Sequence, residues 1–160
     1  MKNLTIISGG QTGVDRAALD VAIRLGLDYS GWCPKDGWAE DMPEFPGLLT
    51  WYSALKETPL HNPVQRTKWN VRDSSATLII LAGSDLSSSP GTALTIKIAE
   101  QLEKTFLIDD IENPEFHKIV LDWLSKFEVP QRLNIAGPRE SEVPGIYDYT
   151  CLFLLKLLCS

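Results

Sequence analysis

Residues 4–16 read Leu-Thr-Ile-Ile-Ser-Gly-Gly-Gln-Thr-Gly-Val-Asp-Arg, and this stretch decides the fold. The β-branched run at 4–7 predicts a buried strand, and a helical pattern begins soon after the glycine pair. In such a strand–turn–helix unit, backbone N–H groups at the start of the helix face an anion. Glycines at 9, 10 and 13 let the backbone approach a phosphate closely. The turn therefore predicts an anion site, in which Thr12 either caps the helix or donates its hydroxyl; the alternative is a tight turn without a ligand.

Two further junctions have the same character. The apolar run at 76–82 leads through a serine-rich loop into Ser89-Pro90-Gly91-Thr92, and the run at 133–136 leads into Gly137-Pro138-Arg139-Glu140-Ser141. Because the carboxyl ends of parallel strands lie at one edge of a sheet, ligands bind in the crevice there. Three small-residue turns at that edge predict a site for a phosphorylated or otherwise anionic small molecule. Neither G-x-G-x-x-G nor G-x-x-x-x-G-K-[ST] occurs in the sequence.

The order of elements predicts one α/β domain over residues 1–160, with a mostly parallel sheet covered by helices on both faces. The predicted strands lie at 4–7, 29–33, 49–53, 76–82, 106–108 and 133–136, and the predicted helices at 12–25, 62–73, 92–104, 113–127 and 145–159.

Charge and cysteine content exclude several classes of protein. The formal net charge of −6 argues against a nucleic-acid partner, since such proteins carry a basic face. No apolar stretch reaches the roughly 18 residues of a membrane span. The three cysteines form neither a metal-binding spacing nor an even disulfide set, which predicts buried thiols in a reducing cytoplasm. The chain enters a strand at once, so no signal peptide is expected.

Residues 34–64 form an irregular stretch with five prolines and two glycines. Ordered loops of this length tend to be lids or binding loops, and Trp38 and Trp51 are expected to pack against something within it.

The last helix is apolar on nearly every side, with leucine or phenylalanine at six positions between 152 and 158. A helix of this kind is buried all round, and at a chain end another subunit is the natural cover. The sequence therefore predicts a homo-oligomer, a dimer or a tetramer, through this helix.

Several charged side chains are candidates for the site. Arg72 and Arg139 are suited to grip a phosphate with two hydrogen bonds, while Lys35 follows the second strand at the same sheet edge. Arg16 either reaches the site or forms a surface ion pair, and Glu140 has the alternative role of holding Arg139. The predicted ligand-binding residues are Gly9, Gly10, Gln11, Thr12, Gly13, Arg16, Lys35, Arg72, Ser89, Gly91, Thr92, Gly137, Arg139, Glu140 and Ser141.

For other polar residues, a purely structural role remains an alternative to a role in the site. Arg66, Asn70 and Asp73 share one helix face, which is either a solvated face with a surface ion pair or a part of the site. Asp109 and Asp110 are more typical of a helix-entry turn than of a metal site. No catalytic residue and no metal site is predicted.

Five segments together resemble the molybdenum cofactor carrier proteins: GGQTGVDR at 9–16, GWCPK at 31–35, RTKWNVRD at 66–73, GTALT at 91–95 and NIAGPRES at 134–141. These proteins belong to a wider Rossmann-like superfamily that includes the lysine-decarboxylase-like (LOG) proteins. The resemblance implies a Rossmann-like three-layer domain that is oligomeric. It also implies that the chain binds molybdenum cofactor, a pterin dithiolene bearing a phosphate, and carries it without turning it over.

The superfamily also contains enzymes that hydrolyse nucleoside monophosphates at the glycosidic bond, with the pattern P-G-G-x-G-T-x-x-E. Here Pro90-Gly91-Thr92 is a shortened version, and Thr95 stands where the glutamate would be, which argues against hydrolysis. The leading hypothesis is thus a non-enzymatic carrier. The alternatives are a nucleotide-processing hydrolase, which a pocket carboxylate with a raised pKa would favour, and a nucleotide sensor.

Overall fold

The computed structural model describes residues 3–83, 86–128 and 131–159, and within these ranges it contains six strands, six α-helices and two short 3-10 helices. The strands are β1 (Leu4–Ile7), β2 (Asp28–Cys33), β3 (Leu55–Glu57), β4 (Ala76–Leu81), β5 (Phe106–Asp110) and β6 (Gln131–Ala136). The helices are α1 (Val14–Arg24), α2 (Leu48–Trp51), α3 (Pro63–Arg72), α4 (Pro90–Gln101), α5 (Phe116–Leu124) and α6 (Ile146–Leu158).

Among the described residues, the strands form one parallel sheet in the order β3-β2-β1-β6-β4-β5. The predicted α/β class is confirmed. The last strand lies in the middle of the sheet, because Asn134 of β6 is in register with Ile7 on one side and with Thr77 on the other. This order places the turns after β1, β6 and β4 side by side.

Helices cover both faces of the sheet. Apolar side chains of α1, α5 and α6 form the main core with β1, β4 and β6, and Val14, Phe116 and Leu154 are almost fully buried there. On the other face, Val71 of α3 packs with Ile98 and Ala99 of α4. In α1 the apolar residues at positions 14, 17, 18, 21 and 22 are all buried.

The irregular stretch 34–64 packs around α2 and β3, and two predictions for it were wrong. Residues 48–51 are helical and the strand comes later, at 55–57, where the predicted strand 49–53 does not reach. Tertiary packing decides this, since Leu48 is fully buried in a cluster with Leu19 and Leu55. The side chain of Trp51 is 70% exposed, against the expectation that it packs.

One side of α6 is buried and the other faces outward. Leu154 and Leu157 lie in the core, whereas Tyr149 and Leu152 are 64% and 68% exposed. The single chain therefore leaves apolar surface on α6 uncovered. Within the described ranges, no helix has the length and hydropathy needed to cross a membrane.

Candidate functional site

A narrow cleft lies at the carboxyl edge of the sheet. It is lined by the three predicted turns and by α3, and its walls comprise Gly9, Gln11, Asp15, Pro63, Arg66, Thr67, Asn70, Ser89, Gly91, Leu94, Thr95, Asn134, Ile135, Ala136, Gly137, Arg139 and Glu142. We call this space the cleft. The space within it that a water molecule can reach is about 70 Å³, so the cleft is narrow.

A buried ion pair forms the floor of the cleft. Arg66 of α3 lies over Gly9 and donates from Nη1 to the Gly9 carbonyl oxygen at 3.2 Å. The same nitrogen is 3.5 Å from Oδ2 of Asp15, which α1 provides in its first turn. Both side chains are about nine-tenths buried. A Cβ at position 9 would lie 2.2 Å from Nη1 of Arg66, so the guanidinium reaches this position only because residue 9 has no side chain.

The pair is electrostatically unusual because of its burial. Burial raises the pKa of the Asp15 carboxyl to about 6, and the neighbouring Arg66 guanidinium offsets only part of that rise. Asp15 lies in the first turn of α1, and its ion-pair partner is Arg66. A carboxyl group with a raised pKa thus faces the cleft.

Two buried donor atoms at the cleft lack partners among the described residues. These are Nε of Arg66 and Nε2 of Gln11. Oε1 of Gln11 is fully used, since it accepts from the backbone N–H groups of Thr12 and Glu40. Buried polar groups without a partner are rare in proteins and carry a free-energy penalty. A ligand that brings acceptor oxygens into the cleft would relieve it.

The opposite wall joins the turns after β4 and β6. The hydroxyls of Ser89 and Thr92 lie 2.6 Å apart, and Ser89 donates to Oε1 of Glu142 at 3.2 Å. The same Glu142 oxygen accepts from the backbone N–H of Arg139 at 2.8 Å. Glu142 therefore holds the loop that carries the Arg139 guanidinium into the cleft.

A second cavity adjoins the cleft on the α1–α6 side, and it contains Thr12, Gly13, Arg16, Asp20, Glu40, Asp41, Glu140, Ser141, Tyr147 and Asp148. Here Arg16 donates two hydrogen bonds of 2.9 Å to the carboxylate of Asp41. Of its two predicted roles, Arg16 therefore has that of forming an ion pair. Glu140 accepts from the backbone N–H groups of Gly145 and Tyr147 at the start of α6. It caps that helix, and does not hold Arg139.

The structure separates the predicted site residues into three groups. Gly9, Gln11, Ser89, Gly91, Gly137 and Arg139 line the cleft, and Thr12, Gly13, Arg16, Glu140 and Ser141 line the second cavity. Gly10, Lys35, Arg72 and Thr92 line neither. Lys35 is exposed, and the Arg72 guanidinium is engaged by Asp73 at 2.7 Å over the ring of Trp69.

Sequence reasoning missed several side chains that form the site. The helix face of Arg66, Asn70 and Asp73 has a solvated face as one interpretation in the sequence, and that interpretation is wrong for Arg66 and Asn70, because both are buried. Asn70 binds the backbone N–H and carbonyl oxygen of Trp32 and thereby fixes α3 to β2. Nothing in the sequence singled out Glu40, which lies in the irregular stretch and reaches back to Thr12.

Three further side chains, those of Cys33, Asp109 and Asn134, are held by burial or by hydrogen bonds within the protein. Cys33 is fully buried, and burial raises the pKa of its thiol to about 11, so it stays protonated at neutral pH. Asp109 accepts from the backbone N–H of Asp110 and from the side chain of Asn113, as in a helix-entry turn. Asn134 is a buried hydrogen-bonding group whose Nδ2 donates to the Thr77 hydroxyl at 3.3 Å.

Comparison with known proteins identifies the family. The family model of the circularly permutated YpsA SLOG family (cpYpsA) matches residues 6–158. The chain belongs to this family. A crystal structure from Syntrophus aciditrophicus, described as "Putative molybdenum carrier protein", is similar to this cpYpsA chain, with 39% sequence identity and a TM-score of 0.82. The similarity covers 98% of this chain and 94% of the other.

The resemblance seen in the sequence is thereby confirmed, both for the molybdenum carriers and for the LOG-like superfamily. No curated protein matches this cpYpsA chain. The description as a molybdenum carrier applies to the protein from S. aciditrophicus.

Proposed function

We propose that this protein binds an anionic small molecule in the cleft, and that the ligand is molybdenum cofactor, carried without being turned over. The observation that carries the proposal is the pair of unpartnered, buried donors, Arg66 Nε and Gln11 Nε2, at the carboxyl edge of a parallel sheet. The description of the similar structure from S. aciditrophicus as a molybdenum carrier supports the choice of ligand.

The chemistry of the cleft fits the two ends of such a ligand. The guanidinium groups of Arg66 and Arg139 and the amide of Gln11 are donors suited to oxyanions. The carboxyls of Asp15 and Glu142 are acceptors suited to the N–H groups of a pterin ring. The cofactor itself would supply redox chemistry only in an enzyme that receives it; here the residues bind, orient and exclude water.

The test is a titration of the cofactor against two variants of equal net charge. Gln11→Glu keeps Oε1 and its two backbone hydrogen bonds but replaces the unpartnered Nε2 donor with an acceptor. Arg72→Gln removes one positive charge outside the cleft. Isothermal titration calorimetry should show at least tenfold weaker binding by Gln11→Glu and a change within twofold for Arg72→Gln. Equal effects of the two variants, or a wild-type protein that does not bind the cofactor, would refute the proposal.

One observation favours a second candidate, a nucleotide-processing hydrolase. A carboxyl in the cleft with a pKa near neutrality suits a general acid or base, and Asp15 has a pKa of about 6. Incubation with a panel of nucleoside monophosphates, followed by chromatography of released bases, tests it. Hydrolysis that disappears in Asp15→Asn would establish this candidate, and its absence across the panel would exclude it.

We also propose that the protein forms a homo-oligomer, a dimer or a tetramer, through α6. The exposed apolar side chains of Tyr149 and Leu152 support this, since the described part of the chain leaves them uncovered. The acidic composition favours neither nucleic acid nor an anionic membrane surface as a partner. A cytoplasmic location is proposed on the three free cysteines.

A further inference from the structure

A tight turn within the stretch 34–64 brings two carboxylates against the α1 side of the site. Ala39 and Met42 exchange two backbone hydrogen bonds, of 3.3 and 3.0 Å, which close the turn. Its tip consists of Glu40 and Asp41. Asp41 is held by Arg16, so the turn is anchored independently of Glu40.

The Glu40 carboxylate sits in a set of donors that would suit a phosphate group. It accepts from the hydroxyl of Thr12, from the hydroxyl of Ser141 at 2.7 Å and from the backbone N–H of Ser141 at 3.4 Å. The guanidinium of Arg139 lies 3.7 Å from its Oε2 atom. Burial works against the charged form, but the hydrogen bonds from Thr12 and Ser141 outweigh it and hold the pKa of Glu40 below its usual value. Glu40 is thus a bound anion supplied by the protein itself.

This anion is directly connected to the cleft. Arg139 lines the cleft while pairing with Glu40, and its guanidinium lies over the ring of Trp38, two residues before Glu40. Gln11 also joins the two spaces, because it lines the cleft and its Oε1 accepts from the backbone N–H of Glu40. A ligand that binds the Arg139 guanidinium therefore competes with Glu40 for that group.

We propose that Thr12, Ser141 and Arg139 form a tetrahedral-oxyanion subsite beside the cleft, and that Glu40 fills it until a phosphate or molybdate group displaces it. The inference deepens the proposed function and rests on it, since the subsite would bind a second anionic group of the same ligand. A doubly charged tetrahedral oxyanion carries more acceptor oxygens and more charge than a carboxylate, so it exchanges favourably with Glu40. The Glu40 side chain is 23% exposed, so it can leave the subsite without unfolding the core.

The test compares Glu40→Gln with Asp148→Asn. Both remove one negative charge from the second cavity, but Asp148 is exposed and its substitution leaves the Glu40 contacts intact. Inorganic phosphate and molybdate are titrated separately by calorimetry, which distinguishes the two sources of the oxyanion. We expect Glu40→Gln to bind at least one of them at least tenfold more tightly than the wild type, and Asp148→Asn to stay within twofold. Adding Ser141→Ala to Glu40→Gln should abolish the gain.

An unchanged or weaker affinity in Glu40→Gln, or an equal gain in Asp148→Asn, would overturn the subsite. Hydrogen exchange of the wild-type protein provides a readout that needs no variant. Saturating oxyanion should lower the protection of the amides at 39–42, and raised protection there would overturn the inference. Cofactor binding by the wild type without an oxyanion gain in Glu40→Gln leaves the proposed function standing and removes the subsite. If Glu40→Gln binds the oxyanion more tightly but the wild-type protein does not bind the cofactor, the subsite stands and the proposed function is refuted.

Discussion

Gly9→Ala is the substitution whose effect is best defined by the structure. The backbone at Gly9 has a conformation that alanine adopts without strain, so the effect falls entirely on side-chain contacts. The new Cβ would lie 2.2 Å from Nη1 of Arg66 and 3.1 Å from Oδ2 of Asp15. To restore van der Waals contact, the guanidinium must withdraw by roughly 1 Å. It then loses its hydrogen bond to the Gly9 carbonyl oxygen and much of its pairing with Asp15.

The size of the loss follows from these two interactions. A hydrogen bond to a charged group contributes about 1.5–3 kcal/mol, and breaking a buried ion pair costs about 3–5 kcal/mol. Because the pair is displaced and not deleted, we expect Gly9→Ala to lower the free energy of unfolding by about 2–4 kcal/mol, or Tm by about 5–15 °C. Urea unfolding at pH 7.5, followed by tryptophan fluorescence, measures it.

Gly91→Ala is the matched control. Gly91 also lines the cleft, but it lies in the first turn of α4 and a Cβ there meets nothing within 4 Å among the described residues. Alanine should be neutral or stabilise the protein by up to about 1 kcal/mol, since it restricts the unfolded chain. The reasoning fails if Gly9→Ala lies within about 0.5 kcal/mol of the wild type, the usual scatter of surface substitutions, or if Gly91→Ala is equally destabilised.

Three further predictions concern pH, packing and assembly. Because folding raises the pKa of Asp15 from 3.8 to about 6, its contribution to stability is present at low pH and is lost as the pH rises through about 6. Loss of its negative charge should also strengthen sulfate binding as the pH falls from 8 to 5, and calorimetry of Asp15→Asn should show a flat profile; a wild-type affinity that does not change would contradict this. Tyr147→Phe removes a 2.6 Å hydrogen bond to Asp20 and should cost about 1–2 kcal/mol in urea unfolding; an unchanged midpoint would show that the bond contributes nothing. Leu152→Glu should reduce the molar mass measured by light scattering to that of one chain, and an unaltered mass would refute the proposed interface.

The sequence was sufficient for the fold because its strands are short β-branched or apolar runs with glycine at their ends, as at 4–7 and 76–81. The prediction of a strand at 49–53 was wrong, because the sequence has no strong periodic pattern there. There the burial of Leu48 and the hydrogen bond from Tyr52 to Asp20 select a helical turn. Such contacts depend on residues about thirty positions away, which local periodicity does not reveal.

The candidate site was predictable in its turns, but only part of its side chains could be predicted. Glycine-rich turns at the carboxyl ends of strands are local features, and three of them line the cleft. Arg66 becomes a site residue only through Asp15 and Gly9, each more than fifty positions away along the chain. Lys35 and Arg72 looked equally suitable in the sequence, because charge alone does not show in which direction a side chain extends from its element.

The position of β6 between β1 and β4 has a consequence for biosynthesis. A ribosome completes the middle of this sheet last, so the nascent chain holds two separate strand groups, β3-β2-β1 and β4-β5, with no neighbour to join them. The walls of the cleft come from both groups and from the turn after β6. The cleft can therefore form only after β6 and the turn that follows it have been synthesised, and a chain truncated before residue 131 would have neither a continuous sheet nor a complete cleft.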